Sequence, residues 1–165
     1  MAKEKFPVTT AIRTLRQQKV DFGSHLYSYE EKGGTTVSAR ELGVDEHAVI
    51  KTLIMEDETK TACIVLMHGD RQVSTKQLAR AAGCKSIHPC TPDVALRHTG
   101  YQIGGTSPFG ARVRMTVYAE ESIFNLPMIY INGGKRGYLV SMPPAELERL
   151  LNPVKVQVAI NGAGT

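Results

Sequence analysis

The amino-acid sequence predicts a single α+β domain in which a mixed, mostly antiparallel, barrel-like β-sheet is flanked by helices. Three observations predict it. Capped stretches with helical spacing alternate with short runs of strand spacing. Two strand pairs are close enough to form hairpins, whereas other strands are separated by helices and need crossovers. No linker, low-complexity tract or internal repeat interrupts residues 5–158, which are assigned to one domain followed by a flexible tail at 159–165.

Thr9 or Thr10 can cap a first helix carrying Ile12 and Leu15, and a strand with His25, Tyr27 and Tyr29 follows. The polar segment 30–36 reads as a loop, and Val37–Leu42 as a short helix ended by Gly43. Val49–Met55 and Ala62–Met67 are strands joined by the acidic turn 56–60. Ser74 caps a helix running to Ala82 with Gly83 beyond it, and Thr91 caps a shorter one over Pro92–Arg97. After 101–103 come the glycine loop 104–110, a strand at Val113–Ala119 and a helical turn near 120–124. Met128–Asn132 and Tyr138–Met142 form a second hairpin through Gly133–Gly137. Pro144 opens a last helix that buries Leu147, Leu150 and Leu151 and stops before Pro153.

With 42% hydrophobic and 22% charged residues, the composition is that of a globular domain, not a disordered chain. The longest apolar run, Ala62–Met67, is too short to span a bilayer. The N-terminus lacks the apolar region of a secretion signal. Three cysteines cannot all pair within the chain. A cytoplasmic protein is therefore expected. The net charge of +4 permits a nucleic-acid partner without requiring one. Its distribution is uneven: Arg71 to Arg114 holds seven bases and one acid, whereas Glu41 to Glu58 holds six acids and one base. Arg71, Lys76, Arg80 and Lys85 are either a solvated face or a track for an RNA backbone.

Lys51 is out of place. In Val49–Met55 both strand faces are apolar, which marks a strand covered on both sides, and a lysine there is rarely buried without a partner. It either snorkels to a sheet edge, joins a structural ion pair, or is itself a cation held at the floor of a pocket and aimed at a carbonyl or phosphate oxygen. Gly104-Gly105-Thr106-Ser107-Pro108-Phe109-Gly110 is the second signal. Glycines let a backbone approach a ligand, and successive N–H groups can hold an anion or a developing oxyanion. A tight loop between strands needs the same residues. Neither a phosphate-binding Walker loop nor a dinucleotide fingerprint fits it. Lys135 and Arg136 stand at the tip of the second hairpin, where they could hold RNA phosphates. Cys84, His88, Cys90 and His98 match no standard zinc spacing, and no metal is assigned. No cysteine lies beside a histidine base, and the five histidines form no evident triad. Tyr27 and Tyr29 share one face, as packing alone would explain.

Three stretches carry a resemblance: Val49-Ile-Lys-Thr-Leu-Ile54, His98-Thr-Gly-Tyr-Gln-Ile-Gly-Gly-Thr-Ser-Pro-Phe-Gly110 and Ile131-Asn-Gly-Gly-Lys-Arg-Gly137. Together they resemble the YbaK-type trans-editing deacylases, relatives of the editing insertion of bacterial prolyl-tRNA synthetase, over roughly residues 8–158. The resemblance implies a barrel-like mixed sheet and an enzyme that cleaves the ester between an amino acid and the 3′ end of mischarged tRNA, cysteinyl-tRNA-Pro first. It implies catalytic roles for Lys51, Gly104 and Gly105. Tyr27, Thr106, Ser107, Pro108, Lys135 and Arg136 would bind substrate. The partners implied are the acceptor end of mischarged tRNA and prolyl-tRNA synthetase, with no cofactor, metal or membrane. One position departs: Leu139 stands where the family often carries an acid, which bears on the amino acid removed more than on the reaction. Three alternatives stay open: a deacylase for another substrate such as alanyl-tRNA-Pro, a non-catalytic module that binds tRNA or a synthetase, and a small-molecule thioester or ester hydrolase.

Overall fold

Thr9 caps the first helix: its hydroxyl accepts from the Ile12 N–H, which starts α1 (Thr10–Gln17) and sends Ala11, Ile12 and Leu15 into the core. The structure, a computed structural model, describes residues 5–161. Next come β1 (Gly23–Leu26) and α2 (Gly34–Leu42), which Gly43 ends in the left-handed conformation. A 3-10 turn at Glu46–Ala48 leads into the long strand β2 (Val49–Asp57), which turns back into β3 (Ala62–His68). The chain continues through β4 (Arg71–Val73) into α3 (Thr75–Ala82), capped by Ser74 and ended by Gly83 at φ 74°. Then follow β5 (Ile87–Pro89), α4 (Pro92–Thr99) and β6 (Thr116–Glu120). The hairpin β7 (Ile129–Lys135) and β8 (Tyr138–Met142), α5 (Ala145–Leu151), β9 (Val154–Val156) and β10 (Ala159–Asn161) complete the order.

The main sheet runs β1-β8-β7-β2-β3-β6-β9, with β5 added to part of β2, while β4 and β10 form a separate ribbon. Pairs β1–β8, β7–β8, β2–β3 and β2–β5 are antiparallel, and β2–β7, β3–β6 and β6–β9 parallel. This is the mixed, mostly antiparallel sheet expected. It does not close as a barrel: β1 and β9 remain its two edges.

Helix α1 covers one face of the sheet, where Ile50 and Ile54 of β2 join Ile12, Leu15, Ile131 and Leu147. Met55 of β2, on the opposite face, packs with Val65, Met67 and Leu78 of α3. Burying a side chain such as Leu78 stabilises the fold by about 1.5–3 kcal/mol. Val49, on that same face, packs with Ala39 and Leu139. Lys51 lies between these two apolar clusters, which is why its strand reads as apolar on both sides.

Several boundaries differ from expectation. The helix expected at Val37 starts at Gly34, and α4 continues to Thr99. The strand expected from Val113 begins at Thr116, because the Arg112 and Val113 N–H groups are held by the Thr99 and His98 carbonyls at the end of α4. Strand β1 ends at Leu26, before Tyr27 and Tyr29. Strands β4, β5, β9 and β10, three residues each, are too short for periodicity to register. The last of them corrects the tail: residues 159–161 pair with β4, and only 162–165 of the expected tail lie outside the described residues. Among the described residues no helix is long and apolar enough to cross a membrane.

Candidate functional site

A cavity of about 460 Å³ lies where the Ile103–Thr106 loop, the start of α2 and the middle of β2 meet. Lys51, Gly104, Tyr27, Thr106 and Arg136 all line it, with Asn132 and Leu139. Ser107, Pro108, Gly105 and Lys135, which the sequence also nominated, are not among its lining residues.

Lys51 leaves β2 in register with Met67 of β3 and donates from Nζ to the Arg71 carbonyl at the head of β4. Burial pushes its ammonium below the ordinary lysine value, and the charges of Glu46 and Asp70 act against that shift. The partner is a backbone carbonyl, not the carboxylate of an ion pair, and the anchored lysine also borders the cavity. Behind it, His47 Nδ1 lies 2.8 Å from Asp70 Oδ1, and Asp70 also pairs with Arg71 at 3.1 Å. The buried His68 stacks on His47 at 3.7 Å between ring centroids. Its Nδ1 faces the His47 carbonyl at 2.7 Å. A carbonyl only accepts, so Nδ1 carries the proton and Nε2 accepts from the Ser122 hydroxyl at 2.7 Å. Burial holds the His68 imidazole below its ordinary pKa of 6.5, in the neutral form.

The glycine loop is pinned from several sides. Gly104 takes φ +83°, and a Cβ there would meet the Tyr29 hydroxyl at 2.7 Å. Asn132 Nδ2 donates to the Gly104 carbonyl at 3.1 Å, while Asn132 Oδ1 accepts from the Gly134 and Lys135 N–H groups. Arg136 Nε donates to the Ile103 carbonyl at 2.8 Å, and its guanidinium lies over Tyr29, 5.1 Å from the ring centroid. The Gly105 N–H is spent on the Gln102 carbonyl at 2.9 Å. The expectation that Gly105 supplies an oxyanion donor is therefore corrected. Its missing side chain serves close packing instead, since a Cβ would stand 2.8 Å from the Arg136 nitrogen. The Gly104 and Thr106 N–H groups make no hydrogen bond among the described residues. Ser107 is fully buried and accepts from the Phe109 N–H at 3.1 Å, so it shapes the loop from behind together with the buried Pro108.

Tyr27 is half-buried, its N–H donating to the Gly137 carbonyl at 2.9 Å, and burial raises its phenol above the ordinary value. Leu139 is buried with Val49 and Ala39, which makes that wall of the cavity apolar. Asn132 is the functional neighbour that sequence reasoning missed. Its signal was an Asn before two glycines, a pattern in which the side chain caps the backbone ahead of it.

Other candidates fall away from the cavity. Cys84 reaches the Ala79 and Ser86 carbonyls, while His88 faces Glu56 at 3.7 Å. Among the described residues the grouping with metal-ligand proximity is Asp57, Glu58 and Cys84, without His88, Cys90 or His98. Burial raises the Cys63 thiol to about 12, and burial together with Glu56 raises Cys90 to about 11, so neither is a ready thiolate.

The cavity is partly apolar, with Lys51 on its wall and Gly104 and Thr106, whose N–H groups make no hydrogen bond among the described residues, along its border, in an open mixed sheet. The aminoacyl-tRNA editing domain family matches residues 30–150, and the chain belongs to that family of editing enzymes. Among its relatives is EbsC of Enterococcus faecalis, assigned by name as a Cys-tRNA(Pro)/Cys-tRNA(Cys) deacylase, 28% identical over 92% of this chain and 94% of EbsC. The proline–tRNA ligase of Thermodesulfovibrio yellowstonii is 34% identical over 67% of this chain but only 18% of the ligase. A crystal structure titled as a trans-editing enzyme for prolyl-tRNA synthetase superposes with a TM-score of 0.81 at 20% identity, over 94% of this chain and 100% of that one. This last likeness shows the fold.

Proposed function

We propose that the protein is a trans-editing deacylase that hydrolyses the ester of mischarged tRNA, with Cys-tRNA(Pro) as its first substrate and Ala-tRNA(Pro) as the next. The observation that carries this reading is the convergence of Lys51, Tyr27, Gly104, Thr106 and Arg136 on one cavity in an aminoacyl-tRNA editing domain. The match to EbsC along nearly all of its length supports action in trans, and the ligase match supports prolyl-tRNA synthetase as the partner that releases the substrate.

An aminoacyl ester is already reactive, so the site has to orient it and stabilise charge on its carbonyl oxygen. The Gly104 and Thr106 N–H groups are the donors for that oxygen. Lys51 holds the carbonyl or the ribose-phosphate of the terminal nucleotide. Arg136 reaches toward RNA phosphate from the rim. For a cysteinyl ester the substrate thiol attacks the carbonyl carbon. The bond to the ribose oxygen then breaks, that oxygen takes up a proton, and a thiolactone leaves. For an ester without a thiol, water held by the loop attacks instead. The apolar wall at Leu139 favours a small uncharged side chain.

The test is deacylation of Cys-tRNA(Pro) and Ala-tRNA(Pro) by wild type and Lys51→Ala. The variant is expected to lose about 10²–10³-fold in kcat, as for removal of one oxyanion donor. Equal rates would remove Lys51 from the mechanism.

A further inference from the structure

Strand β2 is covered unevenly on the edge away from β3. Strand β7 pairs with it at Val49–Ile50, and β5 at Met55–Asp57. Between them the Cys90 N–H reaches the Ile54 carbonyl at 2.9 Å. Backbone groups alternate in direction along a strand, so Thr52, two residues before Ile54, turns its N–H and C=O to this same edge. No register pair with β7 or β5 covers it there. The result is a notch, and Lys51, Thr52 and Leu53 border the cavity at that point. The Thr52 hydroxyl is also the one buried side-chain polar atom without a hydrogen-bond partner among the described residues. Such a group costs stability until something pairs with it.

Resting on the editing reading above, we propose that this notch receives the α-ammonium of the aminoacyl ester. Its acceptors are the Thr52 carbonyl and the Thr52 hydroxyl, the latter turned from its shielded position by a step between χ1 rotamers. The chemistry matches. An ammonium brings three donors and no acceptor, and the notch offers the two Thr52 oxygens beside the Thr52 N–H. Neighbouring residues of a strand point to opposite faces, so the Lys51 side chain and the Thr52 hydroxyl diverge and two cations need not share one space. The carboxylates bordering the cavity are Glu30 and Glu31. Glu30 is engaged with Arg40 at 3.2 Å, and both glutamates are exposed.

The test is calorimetric titration with the alanyl amide of 3′-amino-3′-deoxyadenosine, which cannot be hydrolysed as an ester, and with its N-acetylated form. Wild type is expected to bind the free amine about 10-fold more tightly than the acetylated analogue. Thr52→Val should weaken the free amine by about 3–10-fold, leave the acetylated form unchanged, and melt no lower than wild type because it discards an unpaired hydroxyl. Thr52→Ser should restore the preference. Equal effects on both analogues, no effect on either, or no binding of either would overturn the proposal. So would a lower melting point for Thr52→Val, or a preference abolished by Glu31→Gln and kept by Thr52→Val. The editing reading fails separately, if wild type leaves Cys-tRNA(Pro) and Ala-tRNA(Pro) intact while these analogues still bind.

Discussion

The two glycine segments, 104–110 and 133–137, look alike in sequence and do different work. In the first, Gly104 adopts φ +83° beneath Tyr29 and borders the cavity. Gly105 lets the loop lie on the backbone of Lys135 and Arg136. In the second, Gly133 makes room for the Tyr138 ring, at 2.7 Å from where a Cβ would sit. Its carbonyl receives the Thr9 hydroxyl, the same hydroxyl that caps α1. The first segment borders the cavity through Gly104 and Thr106, whereas the glycines of the second lock a bulged hairpin to a helix cap and leave Arg136 on the cavity wall. Glycine content alone therefore says little about where a ligand goes; what the missing Cβ would touch says much more.

Gly105→Ala gives the largest expected effect of this contrast. A methyl 2.8 Å from the Arg136 nitrogen and 3.0 Å from the Lys135 carbonyl carbon meets backbone that cannot step aside. The loop would lift, and a displacement near 1 Å costs about 10²-fold in kcat/KM. Single-turnover deacylation at saturating enzyme measures it, and a near-normal rate would mean the loop position is not limiting. Gly133→Ala should instead cost stability, about 1–3 kcal/mol by overpacking against Tyr138, read from urea midpoints. Its rate per folded molecule should stay close to wild type. If Gly133→Ala damages rate more than folding, the division of labour is wrong. Asn132→Ala should give the smallest effect, about 10-fold in kcat/KM, because it releases the Gly104 carbonyl while Arg136 still holds Ile103. A double variant with Arg136→Ala should lose more than either single change in the same deacylation assay.

Much of the fold was legible because its signals are local. Thr9, Ser74 and Thr91 each accept from an N–H three residues on, and Gly43 and Gly83 end their helices in the left-handed region, all as spacing indicates. What escaped depends on distant partners. Strands β4, β5, β9 and β10 exist only through their neighbours. Openness of the sheet is a property of edges that no single segment encodes. Within the site, Lys51 announced itself as a cation in an apolar strand, but its bond to Arg71 could not be read from residue types. Ser107 looked like part of a binding loop because a buried serine and a presented one have the same letter. Gly105 was assigned a donor role that its turn to Gln102 consumes.

The β4–β10 ribbon has a practical consequence. Asn161 stands opposite Arg71 in that ribbon, and the Arg71 carbonyl is what the Lys51 ammonium grips. Residues far from the cavity in chain order are thus one strand away from the lysine's anchor. The β4–β10 pairing is therefore expected to act as a remote handle on how Lys51 is held.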